Sequence, residues 1–335
     1  MRQISVVTYN LLSKPLCTAE SFAEPDYSPG DLLYENRYGR TWVQLDRQVA
    51  KRAVICLQEV DSETSCRLQI DFKKRNYDFY YHPYGTPFNG YMGIAIAVPT
   101  SFNVKRVDRF RLVDGKEWPI VRESYLSSFL RYATLGYLSN SYEVWSKARN
   151  RFNFMLTIEI EEGGDSVFVS TVHLPCAFKN PSTMITSATL AVQHVQQLAG
   201  GSPYILTGDF NITPNTEPYR IITEGKCNID AIRNDYPAED LWNPNQLGLK
   251  PMRSAVKAFH GVEPDWTNFS ISGVFGPKKA LKLTLDYIFV SDHFRVMGAF
   301  RQAETNMVCP NSTEPSDHVM VWADLEWDGN IVSKL

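Results

Sequence analysis

The chain of 335 residues lacks most features that would assign it to a specialised class. No apolar run approaches 18 residues, so no membrane span is expected. Six cysteines stand at 17, 56, 66, 176, 227 and 309, none spaced as Cys-x-x-Cys or with zinc-type Cys/His intervals. Free thiols in a reducing compartment are the expectation, with Cys56 a small core residue. No internal repeat, low-complexity tract or Gly/Ser linker divides the chain, so residues 1–335 are expected to form a single domain. No leader is visible before the strand-like run Ile4–Asn10, so a cytoplasmic location is expected, with the nucleus as an alternative, and a monomer is the expected state. The sequons at Asn211, Asn268 and Asn311 carry no meaning in that setting. Gly-x-Ser-x-Gly, P-loop and Gly-x-Gly-x-x-Gly signatures are all missing, which removes the common serine-hydrolase, nucleotide-triphosphatase and dinucleotide readings. An excess of basic charge is missing too: 34 basic residues face 37 acidic ones, for a net −3. Such a chain does not coat nucleic acid, and a phosphate-rich ligand would need local positive charge or a metal.

What is present is an alternation of short apolar runs and helical periodicities. Hydrophobic residues make up 44% of the chain, enough for a sizeable core. Strands are expected at 6–10, 53–60, 77–81, 93–98, 152–160, 167–174, 204–206, 283–290 and 318–327, with a hairpin at Gly163-Gly164. Residues 37–52 place Trp42, Leu45 and Val49 on one helical face. A second helix over 182–199 is expected to be capped by Ser182 or Thr183 and stopped by Gly200-Gly201, and a short third lies near 217–224. The pattern predicts an α/β fold: a four-layer α/β/β/α sandwich of two packed mixed sheets with outer helices.

One stretch differs from the rest. Residues 104–151 hold ten basic and five acidic residues, so they carry +5 and the remainder −8. The same stretch contains Phe110, Trp118, Tyr125, Phe129, Tyr132, Tyr137, Tyr142 and Trp145. It reads either as a helical insert packed on the sandwich or as a basic, aromatic wall beside a phosphate site. In the second reading Arg131, Lys147 and Arg149 bind substrate.

Polar residues gather where strands finish: Asn10, Glu59, His173, Asp209 with Asn211, Asp286, and Asp317 with His318. Each alone reads as an ordinary loop residue or structural histidine. Together they suit metal-assisted phosphoester hydrolysis. Carboxylate and amide oxygens are hard ligands for Mg²⁺ or Mn²⁺, a further carboxylate can orient water, and imidazoles can donate to phosphoryl oxygens as charge builds.

The ordered set Thr8-Tyr9-Asn10, Leu57-Gln58-Glu59, Thr171-Val172-His173, Gly208-Asp209-Phe210-Asn211, Leu285-Asp286-Tyr287 and Ser316-Asp317-His318 resembles the endonuclease/exonuclease/phosphatase superfamily, the DNase I-like fold. The resemblance spans nearly the whole chain. It implies that Glu59 is the main Mg²⁺ ligand, with Asn10 and Asp317 beside the metal. It implies that His173 contacts the phosphate or leaving group, and that Asp209 orients or deprotonates the attacking water. Asn211 would hold the nucleophile and phosphate, and His318 would bind phosphate while oriented by Asp286.

Within the superfamily the chain looks most like CCR4-type deadenylases, through Pro214 and Tyr219 after Gly-Asp-Phe-Asn and through Thr267-Asn268-Phe269. On that likeness Asn268 is expected to bind substrate. The deadenylases carry a base-stacking aromatic five positions before the late aspartate, where this chain has Leu281. Phe178 either supplies that face or packs. The implied function is a Mg²⁺-dependent 3′-to-5′ exoribonuclease or nucleotide phosphodiesterase acting on RNA or a nucleotide. The alternatives are a DNA or abasic-site endonuclease, a phospholipid-headgroup phosphodiesterase, and a non-catalytic binding module.

Overall fold

Alternation along the apolar runs sets the architecture. The computed structural model describes residues 1–18, 21–22, 27–117, 154–178, 180–231, 242–272, 279–303 and 307–328. In it Val6 packs in a core between two sheets, while its neighbour Val7 packs against outer helices. Val54 and Ile55 divide the same way, as do Val167 and Phe168 in the other sheet. A period of two demands this of strands buried on both faces.

The first sheet contains β1 (Arg2–Asn10), β2 (Val54–Val60), β3 (Tyr77–Pro83), β4 (Gly93–Pro99), β13 (Phe294–Ala299) and β14 (Val321–Trp327), in the order β13-β14-β1-β2-β4-β3. The second contains β5 (Asn103–Arg111), β6 (Phe154–Glu162), β7 (Asp165–His173), β8 (Tyr204–Asp209), β9 (Arg253–Ser254) and β12 (Asp286–Val290), in the order β5-β6-β7-β8-β12-β9. A two-stranded ribbon of β10 (Asn268–Ser272) and β11 (Lys279–Leu283) completes the strands. Each large sheet has one parallel pair at its centre, β1 with β2 and β7 with β8. Helices α1 (Pro29–Leu32), α2 (Tyr34–Ala50) and α3 (Ser62–Lys74) lie on the first sheet's side, where Leu45, Leu68 and Phe72 meet Ile55 and Leu57. Helices α4 (Pro181–Ala199) and α5 (Glu217–Glu224) cover the second sheet through Ile185, Val192 and Ile221. The short α6 (Ala255–His260) buries Ala255 and Val256 at the inter-sheet core. The predicted four-layer order is the observed one.

Several boundaries differ from expectation. The cap of α4 is Asn180, whose side chain accepts from the Thr183 N–H, because Pro181 takes the first helical position. The strand expected over 283–290 is two strands in different sheets. Between them the Thr284 hydroxyl donates to Pro264 O and the Leu285 N–H to Thr267 Oγ1, so the chain turns. The last strand starts at Val321 rather than His318. The basic segment does not begin as an insert: residues 103–111 are β5, the edge strand paired along its length with β6. Its aromatic Phe110 stacks on His194 of α4 at 3.7 Å between centroids. Residues 118–153, including Arg131, Lys147 and Arg149, lie outside the described residues. All six cysteines are free. No helix among the described residues is long and apolar enough to cross a membrane.

Candidate active site

The core turns polar just beneath one rim of the sandwich. Gln58 on β2 points between the sheets, where its Nε2 donates to Thr8 Oγ1 at 3.0 Å and to Thr171 Oγ1 at 2.8 Å. These bonds tie the ends of β1, β2 and β7 together. Pairing of β2 with β4 is irregular between Leu57 and Val60, and Glu59 sits there with φ of 53°. A left-handed, bulged position re-aims the side chain out of the strand's alternation, a costly arrangement for a non-glycine residue. Asn211 is left-handed too, at φ 51°. Gly208 has φ of 145°, and a Cβ there would fall 2.0 Å from Val172 O, so the close approach of β7 and β8 requires glycine before Asp209.

The clustered residues meet where these strands end. Asn10 Nδ2 donates to Glu59 Oε1 at 3.1 Å and to Asp209 Oδ2 at 3.0 Å, bridging the two sheets. Glu59 Oε2 accepts from the Ser13 N–H at 3.1 Å. Asp209 Oδ1 accepts from the Asn211 N–H at 2.9 Å, and Asn211 Nδ2 donates to Leu174 O at 2.9 Å. His173 Nε2 lies 3.5 Å from Asp209 Oδ2 and 4.0 Å from Glu59 Oε1. His318 Nε2 lies 3.7 Å from the same Asp209 oxygen, while its Nδ1 is 2.8 Å from Asp286 Oδ2. The Thr267 hydroxyl donates to that Asp286 oxygen at 2.6 Å.

Electrostatics at the site follow from burial among acids. Burial raises the Asp286 carboxyl, against the lowering exerted by His318. Burial opposes charge on His318, but the carboxylates of Asp286, Asp209 and Asp317 outweigh it and hold the imidazole well above its usual pKa. Asp317 is raised by burial, with the charge of Glu59 adding to the effect. No lysine or arginine among the described residues is ion-paired with Glu59, Asp209, Asp286 or Asp317.

Eight sequence-predicted residues therefore converge: Asn10, Glu59, His173, Asp209, Asn211, Asp286, Asp317 and His318. Asn268 has a different place. It is buried, and its Nδ2 faces Asp317 O at 3.2 Å and Asp317 Oδ2 at 3.3 Å, so its amide supports that carboxylate. Phe178, five residues beyond His173, is half exposed. Tyr84 and Arg37 had no sequence signal, Thr267 lay in the Thr267-Asn268-Phe269 motif without a role of its own, and Phe88 lies nearby on the surface. The Tyr84 hydroxyl lies 2.6 Å from His173 Nδ1, and burial pushes its pKa well up, with Glu59 and Asp209 adding, so it remains a hydroxyl. The buried Arg37 guanidinium donates to the carbonyls of Leu11, Leu12 and Pro315, pinning the loops that carry the site. Thr267 braces Asp286. Phe88, on the turn after β3, is 81% exposed beside the Ser13 loop, where Ser13 Oγ donates to Asn89 O. The proline, glycine and asparagine around Phe88 mark only a turn.

The donor set suits a hard divalent cation. Glu59 and Asp317 bring carboxylate oxygens that no lysine or arginine among the described residues pairs with, and the Asp286 Oδ1 is buried without a partner. One atom each from Asp209, Asp286 and His318 also lie within 4.8 Å of one another. In that trio His318 Nδ1 is already engaged by Asp286, so it fits a hydrogen-bonded relay better than a metal cage.

A family model described as Endonuclease/Exonuclease/phosphatase family matches residues 7–318. The chain is 24% identical to 2′,5′-phosphodiesterase 12 of Mus musculus over 97% of its own length and 52% of that protein's. It is 22% identical to the CCR4-Not complex 3′-5′-exoribonuclease subunit Ccr4 of Saccharomyces cerevisiae, covering 97% of this chain and 39% of that one. The chain thus spans about half or less of the curated relatives it matches. Among solved structures it resembles ANGEL2, a 2′,3′-cyclic phosphatase, with a TM-score of 0.70 at 18% identity, covering 96% of this chain and 95% of that one.

Proposed function

We propose that this chain, which belongs to the endonuclease/exonuclease/phosphatase family, hydrolyses phosphodiesters of RNA or nucleotides with a divalent cation. The observation that carries this reading is the Asn10 bridge between Glu59 and Asp209, with two imidazole Nε2 atoms facing the same Asp209 oxygen. Those are the parts an in-line displacement at phosphorus needs: acids for metal and water, and donors for developing charge. Names of relatives support the substrate class, one a 2′,5′-phosphodiesterase and one a 3′-5′ exoribonuclease.

Glu59, with Asp317 and Asn10, would hold Mg²⁺ or Mn²⁺, whose chemistry here is to polarise a phosphoryl oxygen. Asp209 accepts the proton of the attacking water, and the Asn211 N–H fixes the carboxylate that does so. His318, kept cationic by Asp286, donates from Nε2 to the phosphoryl oxygen as its charge grows. His173 donates from Nε2 to the same group or to the leaving oxygen. Asn268 holds Asp317 in place, and Phe178 and Phe88 offer faces on which a base can stack.

A panel of poly(A), 2′,5′-linked oligoadenylate, NADPH, duplex DNA and sphingomyelin vesicles, each with Mg²⁺ and with EDTA, tests the proposal. Turnover of an RNA or nucleotide that EDTA abolishes is the expected result. Loss of roughly 10² to 10³ in kcat or more is expected for Glu59→Ala and Asp209→Ala, the scale for groups that stabilise transition-state charge. Turnover confined to DNA or vesicles would overturn the substrate class. Near-wild-type activity in either variant would overturn the site.

A further inference from the structure

The core between the sheets is layered along the strands. Val6, Cys56, Val169 and Ile205 belong to its apolar part. Two residues further along the same strands stand Thr8, Gln58, Thr171 and Thr207, all fully buried. The next inward-facing positions on three of these strands are Asn10, His173 and Asp209, and the bulge in β2 returns Glu59 to their level. The polar layer is thus the floor of the acidic site, and being fully buried its side chains do not touch substrate.

The two halves of the chemistry stand on different sheets. Asn10 and Glu59 lie at the ends of β1 and β2, and Asp317 shortly before β14, all in the first sheet. His173, Asp209 and Asp286 stand on β7, β8 and β12 of the second. Backbone ladders fix distances within each sheet but do not cross between them. Apolar packing is non-directional and leaves that spacing loose, whereas a hydrogen bond fixes it narrowly. Beneath the site the Gln58 Nε2–Thr171 Oγ1 bond of 2.8 Å crosses the gap. The bonds between Gln58 and Thr8, at 3.0 and 3.3 Å, stay within the first sheet. Thr207 donates to Ser170 O at 2.9 Å, so β8, which carries Asp209, is tied to the strand that carries Thr171. The Asn10–Asp209 bond crosses one layer higher, but its atoms belong to the reacting groups.

We propose that Gln58 and Thr171 are positioning residues for the hydrolysis. Their bond sets the distance across the cleft between the metal-holding groups of one sheet and the Asp209 and His173 of the other. Gln58 acts through Asn10 and Glu59, its neighbours at the rim of the first sheet. Thr171 acts through His173, two residues further along the same strand. The inference rests on the hydrolytic reading given above.

Thr171→Val and Thr8→Val separate this role from a merely structural one. Each removes one hydroxyl partner of the same buried amide and keeps the side chain's shape, so their melting temperatures should fall alike. Only Thr171→Val cuts the tie between the sheets. Its kcat should fall about tenfold or more, since misplacement by about 1 Å can cost about a hundredfold, while Thr8→Val should stay within about twofold of wild type. Thr171→Ser, which keeps the hydroxyl, should retain the wild-type kcat. KM should hold in all three variants. So should Mn²⁺ affinity, read by electron paramagnetic resonance titration, because ligands on one sheet keep their mutual spacing. If Thr171→Val does not fold, Thr171→Ala takes its place. Equal kcat in Thr171→Val and Thr8→Val, no retention by Thr171→Ser, or a loss of Mn²⁺ affinity parallel to the loss of kcat would each overturn the proposal and leave the hydrolytic reading standing. Absence of EDTA-sensitive turnover in the wild type would overturn that reading, and this inference with it.

Discussion

Tyr84→Phe is the sharpest test of how the site is organised. The Tyr84 hydroxyl lies 2.6 Å from His173 Nδ1, and the ring's other nitrogen faces Asp209 Oδ2 at 3.5 Å and Glu59 Oε1 at 4.0 Å. Carboxylate oxygens facing Nε2 accept, so that nitrogen is the one placed to carry a proton. Nδ1 is then the acceptor and Tyr84 the donor, which fixes the tautomer that can donate to a phosphoryl or leaving oxygen. Tyr84 is a positioning residue: it acts through His173. Phenylalanine keeps the ring and removes the donor, leaving Nδ1 unpaired and the tautomer free to change. Losing one such bond costs about 0.5–1.5 kcal/mol, and up to about 3 kcal/mol when a buried partner is left unsatisfied. At 1.36 kcal/mol per decade, kcat should fall between about twofold and a hundredfold. KM should hold, because the hydroxyl is engaged by His173. The assay is steady-state kinetics on whichever substrate the panel identifies, joined to nitrogen NMR of histidine-labelled protein to report the His173 tautomer. An unchanged kcat in the variant, or a wild-type His173 protonated on Nδ1, would refute the reasoning.

Arg37→Met should cost about 3–5 kcal/mol in urea unfolding, because it leaves the Leu11, Leu12 and Pro315 carbonyls buried without their shared donor. A cost under about 1 kcal/mol would show that water replaces the guanidinium there. Glu263 accepts from the Tyr219 and Ser254 hydroxyls, and burial raises its carboxyl above the usual range. A raised folded pKa means this group's contribution is fully present below the unfolded value and lost as pH rises through the folded one. Glu263→Gln should therefore gain stability relative to wild type as pH climbs from about 4.5, read as a diverging pair of melting curves. Parallel curves would place the titration elsewhere. Phe178→Ala and Phe88→Ala should raise KM for an oligonucleotide with kcat little changed, on the scale of about 1–3 kcal/mol per stacked base. Unchanged KM in both would return these rings to ordinary surface.

The gathering of these residues was legible because chemistry-bearing residues stand directly after apolar strands, and a sandwich brings strand ends to one rim. The way the site is built was not. Leu57-Gln58-Glu59-Val60 reads as an uninterrupted strand, yet a bulge and a left-handed Glu59 are what turn the carboxylate toward Asn10. Tyr84 reaches His173 across 89 residues, a separation at which periodicity carries no information. Asn268 follows the motif that suggests a substrate contact, but β10 bridges to His318 and spends its amide on Asp317. Apolar continuity hid the break between β11 and β12, because the turn residues Thr284 and Leu285 are themselves buried.

Charge misled in an instructive way. Lys105, Arg106, Arg109, Arg111 and Lys116, five of the ten basic residues assigned to an insert, belong to the edge strand β5 and the turn after it. Lys105 pairs there with Glu161 and Arg106 with Asp108. Charged side chains on an unpaired edge discourage strand addition by another chain, so part of the basic excess has a structural cause. The near-neutral total then has a simpler origin. Four carboxylates, Glu59, Asp209, Asp286 and Asp317, are gathered at one rim with histidines as their only ion-pair partners among the described residues. Such a rim repels phosphate unless a divalent cation offsets it, so the salt dependence of binding should be steep only once the metal is present.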